Sequence, residues 1–564
     1  MLAGGERDLW SRSVYCARQA AGEPEERRFV LQRQMANIDS QQTDVLVIGS
    51  GPVGSTFARC LVPEGYRVVI AEAGAQQSAR PGEHLKNAFL YQRDVDRFTP
   101  IVQGHLNTLS IAPRMGYSNS LDPTSFRSSR EFIRDGQNPR QDPRKNLDAA
   151  AASYGVGGMF THWTNNTPRH HPTLERIPFI SSAEWDQLYS EAETILNTHT
   201  DVFIKSIRHT VIKERLTDHY GGRLRPPYGV QELPVAGERR RDNDEFVHFT
   251  GADTVLGPLI DEPDRYQANQ FQILPHHRVK KLVVKGDRVE HAVVEDLMRW
   301  RTINVYADTF VVAAGAILTP QILWNSDIPR PNALGRYLTE HPMTFTQVVL
   351  SQAIIDGIRG DPRFEERVSK VERLDPIPIP MQDPPPMVWI PVSEARPWHC
   401  QIHRDSFQYG ALPPDIDDRL VVDLRWFGMV DPVPENRVRF ELDLHDKFGM
   451  PQPTFEFALG DADRLRAHAM MMDMVEAGHA LGGFLSGAEP RFMPPGSSLH
   501  FQGTYRMGEK DDGTCVVDPF SKVWGFQNLY LGGNGLIPTK TAANPTLTSV
   551  ALALRAAASI VHKP

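Results

Sequence analysis

The sequence predicts a mixed α/β fold, and three stretches predict it. TDVLVIGSGPVGSTFARCLVPEGYRVVIAEAG, starting at Thr43, reads as strand, tight turn, helix, strand. TFVVAAGAILTPQILWNS (309–326) reads as a buried strand, then Gly315, then a helix. NLYLGGNGLIPTKTAANPTLTSVALALRAAASIV (528–561) reads as a strand, a glycine turn and a long apolar helix. Strand-to-helix units of this kind point to an α/β architecture.

In chain order, residues 1–40 are polar and carry one helical pattern, EERRFVLQRQM, with no core of their own. They read as an arm. Val45, Leu46, Val47 and Ile48 form the unbroken apolar run of a parallel strand covered on both faces. Pro52 suits a helix's first turn, where its missing N–H costs nothing. That helix ends near Pro63-Glu64-Gly65, and residues 67–72 make the next strand. Residues 100–150 are loop-rich, and helical patterns alternate with polar loops over 175–240. HRVKKLVVKGDRVEHAVVED (277–296) predicts a hairpin turning at Gly286-Asp287. The proline-rich stretch 375–397 suits edge or linker structure. Residues 436–459 are strand-like, and 461–483 form a helix whose Met470, Met471, Met472 and Met474 read as core packing. There is no internal repeat.

Composition excludes several classes. With 61 basic and 69 acidic residues the net charge is -8, which gives no general attraction to nucleic acid or anionic lipid. Cys16, Cys60, Cys400 and Cys515 are far apart, so neither a zinc ribbon nor a disulfide framework is suggested, and no metal site is expected. The first residues lack the apolar core of a secretory signal, and no apolar run approaches the ~18 residues of a membrane span. The expectation is a soluble protein, intracellular or unconventionally exported.

Gly49-Ser50-Gly51-Pro52-Val53-Gly54 follows a strand and opens a helix. Gly49 permits the tight turn, Gly51 lets backbone N–H groups approach a pyrophosphate, and Gly54 lets helix and strand pack closely. Glu72 ends the next strand, where it can accept hydrogen bonds from an adenosine ribose. The turn alone does not separate NAD from FAD. The second glycine turn and helix near residue 544 would bring another helix dipole to the same ligand, which suits an extended FAD.

GVGGMFTHWTNNTPRHHP (155–172) places an imidazole, an indole and two hydroxyls side by side. On its own, His162 there is a structural histidine, a metal ligand or a covalent handle for a cofactor. VIGSGPVGST (47–56), QDPRKNL (141–147), VGGMFTHWT (156–164), QIHRDSFQYG (401–410), LHFQGTYRMG (499–508) and ANPTLTS (543–549) together carry a resemblance. From about residue 40 to 564 the chain resembles the glucose–methanol–choline (GMC) oxidoreductases, in particular their fungal pyranose-oxidising branch.

The resemblance implies a discontinuous Rossmann-type FAD-binding domain (41–180, 245–345 and 485–564) with a mixed-sheet substrate-binding domain (181–244 and 346–484). It implies that the ring of His162, beside Thr161, is bonded to the flavin 8α-methyl, with Thr164 near flavin N5. Phe160 stands where the family has Ser, and Asn165-Asn166 where smaller residues are expected. It further implies that His500 takes a sugar hydroxyl's proton, that Asn544 steadies the same oxygen, and that hydride passes to the flavin. Dioxygen then reoxidises the flavin with release of hydrogen peroxide, or a quinone replaces it. In the loop after residue 400, Gln401, His403 and Asp405 would bond sugar hydroxyls, while Phe407 and Tyr409 cover an apolar face. Arg425 would pair with Asp405. The expected activity is oxidation of aldopyranoses such as D-glucose at C2, with C-glycoside oxidation at C3 as the nearest alternative. A flavin-binding protein without turnover is the rival of another class. A homotetramer is expected, with residues 1–40 as an assembly arm.

Overall fold

A strand apolar on both faces must be covered on both, and β1 (Asp39–Ile48) is, with Val45, Leu46 and Val47 fully buried. The computed structural model describes residues 39–113, 137–243, 245–326, 328 and 332–562. The arm read over 1–40 lies outside these except for residues 39 and 40, which open β1. β1 is flanked in parallel by β2 (Val68–Ala71), which pairs in turn with β3 (Phe271–Leu274). The predicted hairpin is present as β4 (His277–Lys285) and β5 (Arg288–Asp296). β6 (Arg301–Val312) runs parallel to β1, giving the order β4-β5-β6-β1-β2-β3.

β6 changes partner along its length. Residues 301–306 pair antiparallel with β5, and residues 310–312 pair parallel with Leu529–Leu531. The distant stretch around residue 530 thereby enters the same sheet as β1. Helix α1 (Pro52–Leu61) follows β1 and α2 (Gly315–Trp324) follows β6. Both helices therefore start at the same sheet edge, where β1 and β6 end.

The second large sheet contains β7 (Met343–Leu350), β8 (Met387–Ile390), β9 (Trp398–His403) and β10 (Val421–Gly428), antiparallel in the order β7-β10-β9-β8. Two-residue Gln231–Glu232 lies beyond β8, so the proline-rich stretch does sit near a rim. Every residue of β9 and β10 is buried. Helix α3 (Asp461–Leu481) covers this sheet and inserts Asp473, which accepts from the indoles of Trp398 (3.0 Å) and Trp426 (2.7 Å) and pairs with Arg396. Met470 and Met474 are fully buried, as read from the sequence, whereas Met472 is half exposed because the helix turns it outward. A separate hairpin, β11 (Arg437–His445) with β12 (Pro451–Glu456), packs against α2.

The last helix, α4 (Thr546–Val561), packs on α1 and on Ser182–Ile195. Its Arg555 donates to Glu184 at 2.6 Å. Among the described residues no helix is long and apolar enough to cross a membrane.

Candidate active site

Three glycines after β1 are fixed by their neighbours. Gly49 has φ +102°, and a Cβ there would stand 2.6 Å from the Ala313 carbonyl oxygen. A Cβ on Gly54 would stand 1.9 Å from the Gly49 carbonyl oxygen, so only glycine lets α1 start this close to β1. Gly51 has the opposite reason. Its Cβ would meet nothing nearer than 3.9 Å and would project into a cavity of about 550 Å³. Gly158 and Gly315 line the same cavity, and a Cβ on either would have nothing protein-made closer than 3.8 Å. This bare backbone leaves room for a large flat or extended ligand, so the donor set fits a dinucleotide.

Glu72 lies at the end of β2 on the cavity wall. One carboxylate oxygen accepts from Ser50 Oγ at 2.6 Å and from Ser50 N at 3.2 Å. The other accepts from Gly74 N (2.9 Å) and Gly155 N (3.3 Å). Burial raises its pKa against the pull of these donors. Glu72 therefore ties the glycine turn to the 155–164 stretch. Sequence alone assigned it only a ribose contact.

That stretch lays His162 and Thr164 on the cavity wall. The His162 ring stacks on His105 (centroids 5.5 Å apart, planes 13°), and its Nε2 is 2.9 Å from Ser153 Oγ. Burial, reinforced by His105 and His84, lowers its pKa to about 3, so the imidazole is neutral. Phe160 is buried, lines the same cavity and stacks on Trp163 at 4.2 Å. Thr161 Oγ1 donates to Gly158 O at 2.9 Å and pins the turn. Thr164 Oγ1 accepts from Asn166 Nδ2 at 3.2 Å.

His500 and Asn544, 44 residues apart in the chain, meet on this wall: Asn544 Nδ2 is 3.3 Å from His500 Nε2. Burial, then Arg425 and His399, depresses His500 to about 3. Asn544 is oriented from behind, its Oδ1 accepting from Gln401 Nε2 at 2.7 Å. Gln401 Oε1 accepts in turn from Asn166 Nδ2 at 3.1 Å. Glu340, with its pKa raised to about 7 by burial, accepts from the backbone N of His500 (3.0 Å) and from Ser498 Oγ (2.6 Å).

The loop after β9 divides. Phe407 and Tyr409 line the cavity and stack on each other with centroids 5.1 Å apart and planes 2° apart. Gln401, His403 and Asp405 stand one layer behind the cavity lining. Gln401 is held by Asn544, and both ring nitrogens of His403 lack partners. The expected Arg425–Asp405 pair is corrected by the structure. Asp405 Oδ1 accepts from Lys86 Nζ at 2.7 Å, while the Arg425 guanidinium lies 4.0 Å over the Phe407 ring. The aromatic ring occupies the face of Arg425, and Lys86 reaches Asp405 from a segment 319 residues away.

Burial alone would raise the Asp405 carboxyl, but Lys86 and His403 outweigh it and hold the pKa at about 2. This pKa lies below the unfolded value of ~3.9. The stabilisation is complete above that value and is lost as pH falls through about 2. Lys86→Met, which strands a buried carboxylate, is expected to cost about 3–5 kcal/mol at neutral pH, read by chemical denaturation. Among the described residues no cluster of metal-ligating side chains is present.

A chain whose glycine turn and imidazole–carboxamide pair face one cavity has the layout of a nucleotide-dependent oxidoreductase. Family models described as GMC oxidoreductase match residues 263–343 and 432–553. The chain is 41% identical to the pyranose 2-oxidase of Tricholoma matsutake, covering 94% of this chain and 97% of that one. It is 34% identical to the C-glycoside 3-oxidase of Arthrobacter globiformis, covering 92% and 95%. Among solved structures, a variant of Aspergillus oryzae formate oxidase concerned with FAD modification aligns with TM-score 0.63. It shares 15% identity and covers 93% of this chain and 100% of that one. The chain belongs to the GMC oxidoreductase family.

Proposed function

We propose that this chain is a flavin-dependent sugar oxidase that oxidises aldopyranoses such as D-glucose at C2, the activity named for its pyranose 2-oxidase relatives. One observation carries it: His500 Nε2 and Asn544 Nδ2 lie 3.3 Å apart on the wall of the cavity that the glycine turn opens onto. FAD would be held with its pyrophosphate at Gly49, Gly51, Gly54 and the N-terminus of α1, and its ribose toward Glu72. Its ring would lie against Thr161, His162 and Thr164, and the N-terminus of α4 would face it from the other side. The flavin supplies the hydride acceptor and passes the electrons on to dioxygen, giving hydrogen peroxide, or to a quinone.

The chain's own residues do the rest. His500 is neutral and accepts the sugar hydroxyl's proton at Nε2. Asn544 Nδ2 donates to the same oxygen as negative charge grows there. Gln401 and Asn166 hold that carboxamide in place. Phe407 and Tyr409 cover the sugar's apolar face and exclude water. The first sheet and its helices form the flavin domain, the second sheet the substrate domain. Four copies assemble.

The neutral, buried imidazole of His162 on the cavity wall suits a covalent bond to the flavin 8α-methyl. After acid denaturation the yellow colour is expected to stay with the polypeptide, and to be freed in His162→Ala. Flavin freed from the unmutated chain would refute the link and leave the His500–Asn544 pair untouched.

The 34% identity to a C-glycoside 3-oxidase favours oxidation at C3 as the second reading. Carbon NMR of the product from D-glucose separates the two, since a 2-keto sugar supports the first and a 3-keto sugar the second. Absence of any keto sugar, with flavin bound, contradicts both.

A further inference from the structure

Behind His500 lies a second imidazole that the proposed reaction does not use. His341, fully buried and next to Glu340, places Nδ1 at 3.1 Å from His500 Nδ1, with the rings edge-on at 73°. On its far side His341 Nε2 is 3.2 Å from Thr541 Oγ1 and 3.2 Å from Gln502 Nε2. Thr541 Oγ1 donates to Gln502 Oε1 at 3.0 Å.

Two neutral rings facing each other through nitrogen must have one donor and one acceptor, so the ends of the chain set the direction. At the cavity end Asn166 Nδ2 donates to Gln401 Oε1, and Gln401 Nε2 donates to Asn544 Oδ1. Asn544 is left to donate through Nδ2 to His500 Nε2. His500 Nε2 is then the acceptor, and its proton sits on Nδ1 and points at His341 Nδ1. His341 carries its own proton on Nε2, which donates to Thr541 Oγ1. The reverse direction, with Gln502 donating to His341 Nε2, would put a proton on His500 Nε2, facing the NH₂ of Asn544. Two donors would then face each other at the cavity, whereas at the buried end Gln502 Nε2 sends its two hydrogens to Thr541 Oγ1 (2.8 Å) and to the His500 carbonyl oxygen (3.3 Å) and needs none for His341.

We infer that His341, backed by Thr541, is a positioning residue that fixes the tautomer of His500 so that the Nε2 lone pair faces the substrate. When the sugar O–H bond breaks, its proton bonds to His500 Nε2. The Nδ1–H of the resulting imidazolium then donates a charge-assisted bond to His341 Nδ1, and no proton leaves the pair. His341 stays neutral and able to accept because burial, with His500, His399 and His170 nearby, holds its pKa far below the ordinary value. The groups facing His500 itself are His341, His399 and Arg425, with the Phe427 ring against it. The inference rests on His500 being the proton acceptor.

The test is a double-substitution cycle in the flavin-loaded protein, reading the rate of anaerobic flavin reduction by D-glucose. His341→Ala is expected to lower the saturating rate by about 10–100-fold while the half-saturating sugar concentration changes less than about threefold. His341→Asn, whose Oδ1 can accept from His500 Nδ1, is expected to recover most of it. Thr541→Val, which removes the acceptor beyond His341, is expected to lose part of the rate and guards against an Ala variant that does not fold. In a His500→Ala background, His341→Ala is expected to cause no further loss. An equal loss in both backgrounds, or no loss in the native one, overturns the inference. A His500→Ala chain reduced at the native rate would instead overturn the reading on which it rests.

Discussion

His500→Ala is expected to slow sugar oxidation by about 10²–10⁴-fold with the flavin still bound, the range for removing a positioned general base. The direction follows from position. Nε2 is the one ring atom that Asn544 shares with the cavity, whereas Nδ1 is turned inward to His341. Flavin retention follows because the glycine turn, Glu72 and His162 are built from other segments. The pKa of about 3 adds a second expectation. The rate of flavin reduction should be level through neutrality and show no titration near the ordinary histidine value of ~6.5. It should fall only in acid, as His500 protonates. Stopped-flow reduction across pH checks both expectations.

Gly54→Ala is expected to give a folded chain that purifies with at least about tenfold less flavin than the unmutated chain. The added methyl would stand 1.9 Å from the Gly49 carbonyl oxygen, with Val47 Cγ1 at 3.2 Å behind it. Backbone has to move, and the part free to move is the turn at Gly49–Gly51, the proposed pyrophosphate site. Gly51→Ala is a milder control, because its Cβ meets only ligand space. It should weaken flavin binding without lowering the melting temperature of the ligand-free protein, whereas Gly54→Ala should lower both. Flavin absorbance per chain and a thermal melt read the difference.

What was legible in the sequence was local. The β1–turn–α1 unit is decided by adjacent residues, an apolar run, three spaced glycines and Pro52, and it appears within a few residues of the predicted limits. The hairpin at Gly286-Asp287 was legible for the same reason. The pairing of His500 with Asn544 could not come from spacing at all. It was available only through the resemblance, because β6 must bring the strand at residue 529 beside β1 before the two can meet.

The residues that support the site were missed. His341, Glu340 and Lys86 belong to no motif, and each acts on a partner 158 or more residues away. Arg425 was misassigned for a related reason. On β10 its register partner is Gln401, but no pattern along the chain says that Phe407 would fold back over its guanidinium. Gln401 was read as touching sugar because a polar residue beside a loop invites that reading. Its three side-chain hydrogen bonds, to Asn544, Asn166 and His399, make it a brace instead.

The central claim is that a bound flavin and the His500–Asn544 pair act on one carbohydrate C–H bond. Mixing the purified yellow protein with D-glucose in the absence of oxygen tests it most directly. The account predicts that the yellow flavin absorbance bleaches fully and returns when air is admitted, with one keto sugar formed per flavin reduced. A protein that holds its flavin yet stays yellow with D-glucose and every other aldopyranose would contradict it.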